Sequence, residues 1–148
     1  MNLNKVQDKI IEEFDLMIDS LKNEFSYFRY IASLGNSNSG AVKKTDETLV
    51  KSTRSKIWLE ARYVDGKVYY ASDSDNQIVK GIVSMLVNVF SGRTAREIIN
   101  ANLYFVNEIK LYSQLPAARL KEISAVLQQI RTYAVKLKNT ESAPVLSV

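Results

Sequence analysis

Between residues 57 and 71 the hydrophobic period of the chain changes. Ile57, Leu59, Ala61 and Tyr63 recur at every second position, β-branched and aromatic residues dominate, and Asp65-Gly66 stands in the middle. A period of two marks a half-buried strand. Asp-Gly is the dipeptide favoured in a two-residue hairpin turn, whose two central residues take positive φ. The segment therefore predicts a β-hairpin with Ile57, Leu59, Ala61 and Tyr63 on one face. The flanking segments carry a helical period instead. The expected fold class is α+β: a small antiparallel sheet built around this central hairpin, covered by helices on one side, with a long C-terminal helix.

The helices are read from spacings of three and four. Leu3, Val6, Ile10, Phe14 and Met17 make the first stripe. Leu21, Phe25, Phe28, Ile31 and Leu34 make the second, ending at Gly35, which is expected to turn left-handed beyond the helix. A polar stretch from Asn36 to about Thr45 follows and reads as an exposed loop. Asp73-Ser74-Asp75 is capping material for a helix in which Ile78, Val79, Ile82, Val83, Leu86, Val87 and Phe90 present a wide apolar surface, the expected centre of the core. Thr94 and Glu97 fit a capping box that opens a short helix ending near Asn102. Pro116 suits the first turn of the last helix, with Leu120, Ile123, Leu127, Ile130, Ala134 and Leu137 along its buried side. One domain over residues 1–138 is expected, with 139–148 as a flexible tail.

A chain of 148 residues with 46% apolar and 24% charged side chains has the composition of one globular domain. The apolar stretch from Ile82 to Phe90 is interrupted by Ser84 and Asn88 and is far too short to cross a bilayer. The first residues lack an apolar signal core, so a cytoplasmic protein without membrane association is expected. There is no cysteine and no histidine. Disulfides, thiolate metal sites, thiol nucleophiles and the usual neutral-pH base are thereby excluded from this chain, and no enzyme activity, cofactor or metal is expected. A net charge of +4 is too small to imply nucleic acid.

Two stretches draw attention on chemical grounds. Lys51, Arg54 and Lys56 place three positive charges in six residues, beside the hydroxyls of Ser52, Thr53 and Ser55. A hydroxyl nucleophile needs an activating base, and Lys51, Lys56 or a carboxylate is all the neighbourhood offers. Asp73 and Asp75 form either a carboxylate pair for a hard cation or helix caps, and two residues apart before an apolar helix they read as caps. Trp58 reads as sheet packing rather than a stacking platform for bases.

The segment from Leu49 through Lys51-Ser52-Thr53-Arg54-Ser55-Lys56 to Ile57-Trp58-Leu59 resembles the part of the SufE family in which Gly-Cys-Gln-Ser precedes a Val-Trp-Leu strand. Ser74-Asp75-Asn76-Gln77-Ile78-Val79-Lys80-Gly81 is similar to that family's Ser-Asp-Ala-x-Ile-Val-Lys-Gly, and Phe90-Ser91-Gly92-Arg93-Thr94, Glu97-Ile98 and the opening Gln7-Asp8 to Phe14 continue the likeness in order. The resemblance implies a role beside a pyridoxal-phosphate cysteine desulfurase. Family members take a persulfide sulfur from that enzyme on a loop cysteine and pass it toward iron–sulfur cluster assembly. Here the acceptor position is Thr53, flanked by Ser52 and Arg54 instead of Gly and Gln.

A second departure precedes the last helix, where the family reads His-Leu-x-Pro-Ser-Arg-x-x-Gly-Leu and this chain reads Gln114-Leu115-Pro116-Ala117-Ala118-Arg119-Leu120-Lys121-Glu122-Ile123. Arg119 matches; the His, the Gly and the Pro register do not. The resemblance thus implies a non-catalytic SufE-like protein that binds or regulates a protein partner, a cysteine desulfurase. Lys51, Ser52, Thr53, Arg54, Asp73, Asp75 and Arg119 are the expected contact residues. The alternative readings are a structural subunit of a larger complex and an assembly factor that moves sulfur through some other group.

Overall fold

The computed structural model describes residues 2–17, 20, 23–35, 42–51 and 53–142, with side chains as far as residue 139. Leu21, most of the polar stretch after Gly35, Ser52 and the tail from residue 143 lie outside the described residues. In order, the elements are α1 (Leu3–Leu16), α2 (Glu24–Leu34), β1 (Ile57–Val64), β2 (Lys67–Ser74), α3 (Gln77–Phe90), α4 (Ala95–Ile99), α5 (Phe105–Glu108), α6 (Leu111–Gln114) and α7 (Ala117–Ser142).

The hairpin forms where the period changes. β1 and β2 pair antiparallel from Ile57↔Ser74 to Val64↔Lys67, and Asp65 and Gly66 close the turn with φ of 51° and 78°. Positive φ at both positions is the geometry that twists with the strands. Ile57 and Leu59 are buried, Ala61 and Tyr63 half-buried, so the apolar face fades toward the turn. Each strand is met at one point on its outer edge: Leu49 bridges Trp58 outside β1, and Arg93 bridges Val68 outside β2.

α3 lies at the centre, as its wide apolar surface predicts. From Val79 to Phe90 only Asn88 is exposed and Lys80 half-buried. It packs on β2, α1, α2 and α7, while α7 covers β1 and α4. Two tyrosines join α7 to the hairpin: the Tyr70 hydroxyl donates to the Ile130 carbonyl at 2.7 Å and Tyr133 to the Leu59 carbonyl at 3.0 Å. Thr94 and Glu97 form the reciprocal capping box at the start of α4.

Three local expectations change. The cap of α3 is Asn76, whose side chain accepts from the N–H groups of Ile78 and Val79, each at 3.0 Å; Asp73 and Asp75 are occupied elsewhere. Gly35 remains in the right-handed helical region, with φ −72° and ψ −17°. Phe25 is 73% exposed, and the buried side of α2 runs through Tyr27 and Ile31. The contact of the Ile31 backbone with Gly81 sets that rotation of α2.

Candidate functional site

The segment before β1 is held down at two points. The first lies on the outer side of the hairpin, where Trp58 and Asp73 stand opposite each other in the ladder. Asp73 is 7% exposed and accepts from two lysines, Lys44 Nζ at 2.8 Å and Lys80 Nζ at 3.3 Å, and from the Ser74 N–H at 2.8 Å. Lys44 Nζ also sits 4.9 Å from the centre of the Trp58 ring, a cation–π distance. Burial alone would raise the Asp73 pKa. The hydrogen bonds from Lys44, Ser74 and Lys80 outweigh it and hold the carboxyl below its ordinary range. Asp73 is thus a structural anchor joining the loop, β2 and α3.

The second point is at the start of α7. Helical spacing puts Arg119 and Glu122 on the same side, where Arg119 Nη1 donates to Glu122 Oε1 at 2.6 Å. The other oxygen, Oε2, accepts the Ser55 N–H at 2.8 Å, and Arg119 Nη1 donates to Ser55 Oγ at 2.8 Å. Thr53 Oγ1 then donates to the Ser55 carbonyl at 2.7 Å, with a longer approach of 3.5 Å to the Val50 carbonyl. Burial pushes the Glu122 pKa up, but Arg119 and the N–H and hydroxyl of Ser55 favour its charged form and bring it below the ordinary range.

The depressed pKa has a consequence for acid stability. The Glu122 contribution is complete above the value of an unfolded glutamate, about 4.3, and is lost as the pH falls through the lower folded value. The stability difference between the wild type and Glu122→Gln, from chemical denaturation, should therefore stay level from neutral pH down to about 5 and narrow below about 4.3. A difference that does not vary with pH would mean that Glu122 is not held as an anion.

The expected contact residues divide between these anchors and the surface. Lys51 and Arg54 are exposed, and Lys51 Nζ donates to the Asp46 carbonyl at 3.3 Å. Ser52 lies outside the described residues. Thr53 is half-buried, with its hydroxyl turned onto the loop. Asp75 extends the ladder, accepting the Lys56 N–H at 3.0 Å while its own N–H donates to the Lys56 carbonyl at 3.1 Å. Arg119 and Thr53 meet at Ser55, and among the described residues no hydrogen bond or ion pair joins Asp73 to either. In the residues alone Ser55 stands out as a hydroxyl and Glu122 as a departure from the related motif, but not their contact with each other. The signal at Glu122 is that it stands three residues after an arginine on a helix, where the related motif has glycine.

Among the described residues Thr53 is not an activated nucleophile. Thr53 Oγ1 faces carbonyl oxygens, which cannot take its proton, and no side-chain base is bonded to it. Among the described residues no three His, Cys, Asp or Glu side chains gather as a metal ion would need. None of the described helices is long and apolar enough to cross a membrane.

Comparison with known proteins agrees with the architecture. A solution structure of a hypothetical protein from Thermus thermophilus shares the fold, with a TM-score of 0.68 at 16% identity over 88% of this chain and 94% of that one. A SufE-like protein of Rhizobium meliloti is 27% identical over 134 residues, covering 86% of this chain and 93% of its own. A SufE-like protein of Synechocystis is 30% identical over 93 residues, covering 63% of this chain and 58% of its own length. Residues 8–134 match the SufE, Fe-S metabolism associated, domain. With that match over most of its length and the same fold in its structural neighbour, the chain belongs to the SufE family, and it does so without a single cysteine.

Proposed function

We propose that this protein is a non-catalytic SufE-family binding partner, which docks on a pyridoxal-phosphate cysteine desulfurase and carries no sulfur itself. The observation that supports this reading is Thr53. It occupies the loop position that resembles the family's acceptor, its hydroxyl is spent on a backbone carbonyl, and the 148 residues contain no thiol to replace it. Persulfide transfer needs a sulfur nucleophile, which an alcohol cannot supply. What remains is a retained scaffold with Lys51 and Arg54 outward on an anchored loop.

The test is titration of the purified protein against the cysteine desulfurase of the same organism. Binding at micromolar concentration or tighter is expected, with sulfide release in the presence of reductant unchanged by a stoichiometric excess. No binding at micromolar concentration removes the desulfurase as partner, and stimulated turnover removes the non-catalytic reading.

Thr53→Cys refines the test. The half-buried hydroxyl donates one hydrogen bond, so its loss should cost about 1 kcal/mol, or roughly 2–4 °C in melting temperature. This is more than a freely exposed loop position would show. If the loop docks at the enzyme's sulfur-carrying site, the variant incubated with desulfurase and cysteine should gain one sulfur by intact mass. A thiol that stays unmodified in a formed complex, yet alkylates freely, would place the docking face elsewhere.

A further inference from the structure

Ser55 closes the loop, and each of its polar groups is engaged. Its N–H donates to Glu122, its hydroxyl oxygen accepts from Arg119 and its carbonyl accepts from Thr53. Ser55 is 8% exposed and Glu122 3%. A carboxylate this deeply buried needs its partners, because water cannot replace them. Any loop arrangement that withdrew the Ser55 N–H would strand one oxygen of Glu122. The next residue, Lys56, is fixed through both its backbone groups by Asp75. On this anchored segment Arg54 and Lys56 are exposed, with Lys51 exposed just before it, and among the described residues none of the three forms an ion pair.

We propose that Glu122 is a positioning residue: through Arg119 and Ser55 it holds the 53–56 segment as a preformed docking element, which presents Arg54 and Lys56 to an acidic surface on the partner protein. The inference rests on the docking reading above and adds to it the chemistry of the partner and the rigidity of the loop. Ordering a loop on binding subtracts from affinity, and a loop ordered beforehand avoids that cost. Unpaired cations on such a loop steer an acidic partner and make association sensitive to salt. The loop is in this respect a fixed face rather than a swinging arm.

The Ser55 amide reports the latch directly, since its N–H donates to Glu122. Amide exchange by NMR is to be compared in the wild type, Glu122→Ala and Glu122→Gln, with the Val68 amide, bonded to the Arg93 carbonyl on the outer edge of β2, as the internal control. Glu122→Ala should raise exchange at Ser55 roughly tenfold or more with Val68 unchanged. Glu122→Gln keeps an acceptor for Ser55 but no charge for Arg119, and should fall between; it also serves if the alanine variant does not fold. Desulfurase affinity should drop roughly tenfold in Glu122→Ala, and should weaken in the wild type as ionic strength rises. Equal Ser55 exchange in wild type and variants overturns the latch. Equal or tighter binding by Glu122→Ala overturns the preformed element, because the loop would then have to open to dock, and salt-independent binding overturns the acidic partner surface. A wild type that does not bind the desulfurase overturns the docking reading on which the element depends, while Ser55 exchange still decides the latch separately.

Discussion

Replacing Gly81 by alanine is expected to lower stability by about 3 kcal/mol, or roughly 6–12 °C in melting temperature. A Cβ at this position would stand 1.9 Å from the Ile31 carbonyl oxygen and 2.7 Å from its carbon. Both are backbone atoms of α2, so no rotamer change relieves the overlap. The helices would have to separate, and α3 is the element on which α1, α2, β2 and α7 all pack. Any alanine advantage in helix propensity is smaller than that by a factor of about three. Thermal and urea unfolding of Gly81→Ala measure the effect, and Asn88→Ala, at the one exposed position between Val79 and Phe90, provides a control within about 0.5 kcal/mol of wild type. A Gly81→Ala protein as stable as that control would show that α2 and α3 do not approach so closely.

The second large effect belongs to Gln7, a polar side chain with 0% exposure in the apolar stripe of α1. Its Oε1 accepts the N–H groups of Tyr104 and Phe105 at 2.9 and 3.1 Å, and its Nε2 donates to the Asn102 carbonyl at 3.0 Å. These bonds satisfy the backbone where the chain enters α5, a turn too short to satisfy itself. Gln7→Leu keeps the volume and strands three backbone groups. At about 1–3 kcal/mol for each, with partial relaxation, a loss of about 2–4 kcal/mol is expected. The Phe105 amide should lose its exchange protection ahead of α3. A leucine variant as stable as wild type would mean that the 102–105 segment finds other partners at little cost.

Neither effect reaches the 53–56 segment directly. Gly81 and Gln7 support the core behind it, whereas Glu122 and Asp73 hold the loop itself, so their variants separate by readout. Core variants should lower global stability and, under the proposed docking, leave desulfurase affinity per folded molecule unchanged. Latch variants should change the affinity.

Features that depend on neighbours along the chain were legible in the residues alone. Asp65-Gly66 specifies its turn because the required backbone angles belong to those two residues, and Thr94 and Glu97 specify a cap because both ends of each hydrogen bond lie within one helical turn. The stripes of α1, α3 and α7 follow from the pitch of the helix and the tendency of apolar surface to leave water. The missing thiol was legible too, since a composition of zero needs no coordinates. Tertiary structure decided everything that joins distant segments. Asp73, Asp75 and Asn76 are all able to cap a helix, and only the arrival of Lys44 and Lys80 at Asp73 and of Lys56 at Asp75 leaves Asn76 to do it. Gln7 meets a segment more than ninety residues away, and Glu122 meets Ser55 from 67 residues away, so neither role has a local signature. A buried polar group takes its role from the partner that folding brings within about 3 Å, and that partner is chosen by the packing of whole helices rather than by adjacent sequence.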